Sequence, residues 1–91
     1  MATYKAPLVD FAFLLNDWLN IDAHYQNINA EGMDSELALE VLAQGAKFAE
    51  SEIAPLNQIG DEQGCRLHNG AVTTPDGFAA AYQTYIENGW N

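Results

Sequence analysis

Positive charge is what this sequence has least of. Three Lys+Arg stand against thirteen Asp+Glu, for a formal net charge of -10. Lys5, Lys47 and Arg66 are scattered along the chain. Binding nucleic acid requires clustered cations that replace counterions on phosphate, so that class of partner is excluded. Anionic membrane surfaces are excluded on the same electrostatic ground. Cys65 is the single cysteine, so no internal disulfide framework exists. That fits a reducing compartment, and a cytoplasmic location is expected. Apolar runs are short: Phe11-Ala12-Phe13-Leu14-Leu15 is as long as any, far below a membrane span. Asp10 precedes it where a secretory signal would carry basic residues. Neither G-x-G-x-x-G nor a P-loop occurs, so no phosphate cradle is visible. No internal repeat, low-complexity stretch or Pro/Gly/Ser-rich linker divides the chain.

What is present is a small folded domain. A length of 91 residues suggests one domain at most, near the lower limit for an adequate core. A hydrophobic content of 48%, with 11% aromatics, argues for a folded chain.

Three helical segments are expected. In "PLVDFAFLLNDWLN", Phe11, Leu14, Leu15 and Trp18 fall at i, i+3, i+4 and i+7, one apolar stripe. Phe13 and Leu19 lie off it and widen the apolar surface. The stripe reads as a core helix, with a docking helix for a partner as the other reading. "QNINAEG" then reads as a polar connection. The second helix opens at "MDSELALE", where Asp34 or Ser35 can accept from first-turn amides, and Glu36 and Glu40 suit the positive end of the helix dipole. Leu42, Ala46, Ala49, Ile53 and Leu56 form its stripe. Gly45 weakens this helix mildly and allows a close neighbour. Pro55 lacks an amide donor and clashes with the carbonyl of Ser51. Because the stripe continues to Leu56, a kink is expected there and not an end.

Asn69-Gly70 favours a tight turn of positive φ, across which Arg66-Leu67 and Ala71-Val72 could pair. The third helix is well punctuated, with Thr74 suited to the N-cap, Pro75 to the first helical position and Asp76 to the dipole. Phe78, Ala81, Tyr82, Tyr85 and Ile86 supply its apolar face. Gly89 suits a left-handed stop, with Trp90 folding back towards Tyr85 as in a Schellman cap. The fold class expected is all-α: a three-helix partial bundle with a short hairpin-like loop before the last helix.

Candidate chemistry is thin. Cys65 and His68 form a C-x-x-H pair, two of the four ligands of a structural zinc, and no second pair follows. Cys65 has no cationic cluster that would activate it as a nucleophile. Asp22 lies two residues from His24 without forming a triad or a metal face. Asp61-Glu62 and Glu50-Glu52 read as solvated helix faces, although paired carboxylates can do acid–base work. The expectation from the residues is no catalytic, cofactor-binding or metal site.

Two stretches nevertheless resemble the N-terminal part of a flavin-dependent acyl-CoA dehydrogenase: Thr3 to Asn20, "TYKAPLVDFAFLLNDWLN", and Phe48 to Trp90. In the second, the resemblance is carried by Ile53-Ala54-Pro55-Leu56-Asn57, Gly60-Asp61, Gly64-Cys65, Asn69-Gly70, Thr74-Pro75, Gly77-Phe78, Ala81-Tyr82 and Gly89-Trp90 in fixed order. The likeness is to the subgroup with an extra N-terminal segment, which includes 3-(methylthio)propanoyl-CoA dehydrogenase-like enzymes. It implies that residues 1–33 are an extension helix and connection, and residues 34–91 an incomplete N-terminal helical domain, together one compact unit. It also implies that the proline-containing helix runs on to about Gly60-Asp61. In the family, the Gly-Trp pair leads into further helices, a β domain and a C-terminal helical domain. The FAD site and the glutamate base lie in those later parts. No catalytic or flavin residue therefore transfers to any position here, and acyl-CoA is a partner only of the full-length parent. The expected role of the chain is packing, as a fragment or truncated product, with Phe11, Phe13, Leu14, Leu15, Trp18, Pro55, Thr74, Pro75, Gly89 and Trp90 as structural or interface positions. Self-association as a dimer is expected of the isolated chain. A free-standing acidic helical interaction module is the alternative.

Overall fold

The computed structural model describes residues 3–91. Helix dominates, with five α-helices and a two-stranded antiparallel sheet among the described residues, so the all-α expectation holds for the bulk and not for the hairpin. The chain forms two compact units, residues 5–47 and residues 48–91 with Thr3 and Tyr4.

In the unit of residues 5–47, α1 (Leu8–Ala12) starts after Pro7 and widens into a π-helical stretch, Phe13–Trp18. Leu19 closes the stretch by donating its amide to the Leu14 carbonyl at 2.9 Å. Asn20 then takes a left-handed conformation, φ 46°, and α2 (Ile21–Asn27) begins. Three helices were expected, and α2 was not among them. Its sequence carries no long stripe; half-buried Ile21 and Tyr25 give it one apolar row. Its end is well made. Asn29 sits at φ 56°, its amide donates to Gln26 and the Ala30 amide to Tyr25, the paired bonds of a Schellman cap. The polar connection therefore starts later than "QNINAEG", after Asn27. In α3 (Ser35–Phe48), Asp34 is the N-cap, accepting from the Leu37 amide at 2.7 Å. Ser35 is not a cap acceptor. Its amide donates to Asp22 Oδ1 at 2.7 Å and its hydroxyl to Asp22 Oδ2 at 3.2 Å, which ties α2 to the start of α3.

In the other unit, a π-helical stretch, Ala49–Ile53, leads to Pro55. The Ala54 amide reaches the Ala49 carbonyl at 2.7 Å, and helix resumes as α4 (Leu56–Gln63). The π turn is how the chain accommodates a proline that cannot donate: the ladder widens before it instead of breaking. Helix is interrupted for two residues, Ala54-Pro55, and does not end there, since α4 runs past Gly60-Asp61 to Gln63. Ile53 is 46% exposed, and with Ala49 and Leu56 of the expected stripe it faces one groove. Strands β1 (Arg66–His68) and β2 (Ala71–Thr73) pair with Leu67 opposite Val72. Asn69 and Gly70, at φ 50° and 78°, give the two-residue turn that their sequence demands.

Helix α5 (Phe78–Glu87) begins later than expected. Its N-cap is Gly77 at φ 87°, with no side-chain cap bond, so Thr74 is not the cap and Pro75 is not the first helical residue. Pro75 instead is buried, and its carbonyl accepts from the Phe78 amide across a tight turn. That turn holds Thr74 outside the helix, out of reach of the first-turn amides. The far end is as expected: Gly89 at φ 80° donates to Ile86 and the Trp90 amide donates to Tyr85. Among the described residues, Ala46 and Ala81 are the buried members of the apolar core, at 5% and 6% exposure. No large side chain among the described residues is fully enclosed.

Candidate packing groove

The unit of residues 48–91, with Thr3 and Tyr4, contains an open groove of about 1390 Å³. Helix α5 forms one side through Ala81, Tyr82 and Tyr85, and Leu56 and Gly60 of α4 line the groove with Phe78. The rings are organised: Phe48 and Tyr85 lie 6.1 Å apart and tilted, and Tyr82 and Tyr85 lie 6.2 Å apart and stacked. Such pairs contribute roughly 0.5–1.5 kcal/mol beyond area burial.

Two glycines let the start of α5 approach α4. A Cβ on Gly60 would lie 2.8 Å from Phe78 Cζ, so the ring occupies the space a side chain would need. A Cβ on Gly77 would lie 2.8 Å from Leu56 Cδ2, and its φ of 87° is in the region that favours glycine. The sequence reading missed this contact. Its available signal was Gly60, a glycine inside a helix, which costs about 1 kcal/mol and so marks a close neighbour.

The groove's chemistry is apolar with an acidic edge. Thr3, Asn57, Asp61 and Cys65 are its polar members beside three tyrosines, and among the described residues no Lys, Arg or His lines it. A flavin diphosphate or the phosphates of coenzyme A need cations or an amide cradle. These residues do not fit such a group, and no reaction step is derived through one. Cys65 and His68 are both exposed, and among the described residues no three His, Cys, Asp or Glu gather as a metal site. Glu62 accepts from Gln58 Nε2 at 2.8 Å, a helix-surface pair. Among the described residues, no helix is long and apolar enough to cross a membrane.

In the unit of residues 5–47, the first-helix stripe is only partly covered, and Phe13 beside it is exposed. Phe13 is 57% exposed and Trp18 70%, Phe11 and Leu14 are also exposed, and Leu15 is half-buried.

No protein-family model matches the chain. By sequence, however, it is similar to an acyl-CoA dehydrogenase, as the resemblance implied. It is similar to the 3-methylmercaptopropionyl-CoA dehydrogenase of Ruegeria pomeroyi, 37% identical over 91 residues. The match takes in 97% of this chain and spans 15% of the relative's length.

Proposed function

We propose that this chain is an N-terminal helical segment of an FAD-dependent acyl-CoA dehydrogenase, with a packing role and no active site of its own. The observation that carries the reading is 37% identity over 97% of the chain. In this reading, residues 1–33 are an extension and residues 34–91 part of the helical domain. The flavin, the carboxylate base and the acyl-CoA contacts belong to the rest of such a polypeptide. In such a polypeptide this segment helps wall the fold. A second reading, a free-standing acidic interaction module, is favoured by the uncovered Phe13 and Trp18. The test is a chimera in which this chain replaces the matched segment of the Ruegeria pomeroyi enzyme. Retained dehydrogenase activity, against loss on simple deletion of that segment, supports the first reading. An inactive chimera rejects it.

A further inference from the structure

Three pairs in the chain set an Asn or Asp directly before a glycine: Asn69-Gly70, Asp76-Gly77 and Asn88-Gly89. Such pairs can close a five-membered imide, because a glycine carries no side chain to hinder attack by its own nitrogen. The structure separates them. At Asn88-Gly89, the Gly89 amide donates to Ile86 at 3.0 Å and the Trp90 amide to Tyr85 at 3.2 Å, with Trp90 half-buried. At Asp76-Gly77, Gln63 Nε2 donates to Asp76 Oδ2, and Leu56 presses on Gly77. An ionised carboxylate is also a poorer electrophile than a neutral side-chain amide. Asn69 is exposed, and among the described residues no hydrogen bond engages its side chain or the Gly70 amide.

We propose that Asn69-Gly70 is a site of spontaneous deamidation, gated by opening of the β1–β2 ribbon. In the closed turn Asn69 is at φ 50° and Gly70 at φ 78°, and His68 pairs with Ala71 on either side. Ring closure requires rotation about the Asn69 Cα–C bond until the Gly70 nitrogen faces Cγ, which the paired strands resist. That resistance is small, since every strand residue is exposed. Gln63 and Asp76, bonded to each other across the base of the ribbon, hold it shut. In the open ribbon the Gly70 nitrogen loses its proton and attacks Asn69 Cγ. The new C–N bond forms, the Cγ–Nδ2 bond breaks, and ammonia leaves. Water then opens the imide at Cγ, giving aspartate, or at the backbone carbonyl, giving isoaspartate. Isoaspartate adds one carbon to the main chain, so the two-residue turn cannot re-form and the pairing of Leu67 with Val72 is lost. The step is one-way, and it holds under either reading given under Proposed function.

The test holds the full chain in mildly alkaline buffer, with peptide-resolved mass spectrometry following Asn69 and Asn88 separately. Asn69 is expected to convert several-fold faster than Asn88 in the folded chain. In urea, where both pairs are released, the two rates are expected to converge. Gln63→Ala is expected to raise the Asn69 rate about fivefold, the gain in open population that about 1 kcal/mol gives, and to leave Asn88 unchanged. Amide exchange in residues 66–73 is expected to speed up as isoaspartate accumulates. Asn88 converting as fast as Asn69 in the folded chain overturns the choice of site. A difference that persists in urea traces to the local sequence and overturns the part played by the fold. A Gln63→Ala variant that leaves the Asn69 rate unchanged overturns the gating by the ribbon. So does one that speeds both residues alike, since it then acts through global unfolding.

Discussion

Gln63 and Asp76 hold each other across the hairpin by two hydrogen bonds. Gln63 Nε2 donates to Asp76 Oδ2 at 3.1 Å, and the Asp76 amide donates to Gln63 Oε1 at 2.9 Å. The last residue of α4 is thereby fixed to the turn that launches α5, and the two-stranded ribbon becomes a closed loop. A ribbon of three-residue strands with every residue exposed would be marginal alone.

Gln63→Ala removes both bonds at once. The expected loss is about 1 kcal/mol, at the low end for two bonds because the site is exposed. Denaturant unfolding gives the magnitude, and amide exchange in residues 66–73 gives the location. Unchanged exchange there would show that the ribbon is held by something else.

The start of α5 separates two substitutions that the sequence ranks the other way round. Thr74 makes no cap bond, so Thr74→Ala is expected to leave the unfolding midpoint unchanged. Gly77→Ala meets a left-handed φ of 87° and Leu56 Cδ2 at 2.8 Å. A non-glycine residue in that region costs on the order of 1–3 kcal/mol. Paired thermal melts decide it: a Thr74→Ala variant as destabilised as Gly77→Ala would return the cap to Thr74.

These two positions show where the sequence was legible. Punctuation that acts locally was readable: the Asn69-Gly70 turn, the Gly89 stop and the helix interruption at Pro55 each follow from one residue's own φ or missing donor. Thr74-Pro75-Asp76 looked like a helix start for equally local reasons. The outcome there was set by partners distant in sequence, since Asp76 is engaged by Gln63 and Gly77 is pressed by Leu56. Helix α2 was missed for the same kind of reason. Asp22 is tied to Ser35, thirteen residues on, and no short-range pattern encodes that bond. The groove depends on Gly60 accepting the Phe78 ring, again a contact between separate elements.

The beginning of α3 carries two carboxylates, Asp34 on the Leu37 amide and Asp22 on Ser35. Asp34→Ala is expected to cost about 1 kcal/mol, the usual loss of an N-cap acceptor. Asp22→Ala removes the tie between α2 and α3, so its effect extends to α2. Amide exchange distinguishes them: only Asp22→Ala should speed exchange in residues 24–28. Equal effects of the two variants on α2 would contradict this division of roles.

The isolated chain is expected to pair with a second copy through the unit of residues 5–47. Val9 at 83% exposure, Phe13 at 57%, Trp18 at 70% and Leu19 at 54% lie uncovered within one short stretch. Fully burying such a side chain contributes roughly 1.5–3 kcal/mol. Two-fold pairing uses the same patch twice, so even partial burial of eight side chains is comparable with an association cost of about 4–15 kcal/mol. Repulsion between two chains of charge -10 opposes this. Exposed charges interact over a Debye length of about 10 Å at 0.1 M salt and about 3 Å at 1 M. The dimer fraction should therefore rise with salt, the reverse of an assembly held by ion pairs. Light scattering at micromolar concentration, in low salt and at roughly 0.5 M, reads both the mass and its direction of change. Trp18→Asp should shift the protein towards monomer at both ionic strengths. A monomer mass for the unsubstituted chain in high salt would mean that these uncovered side chains do not drive association, and would reject the pairing.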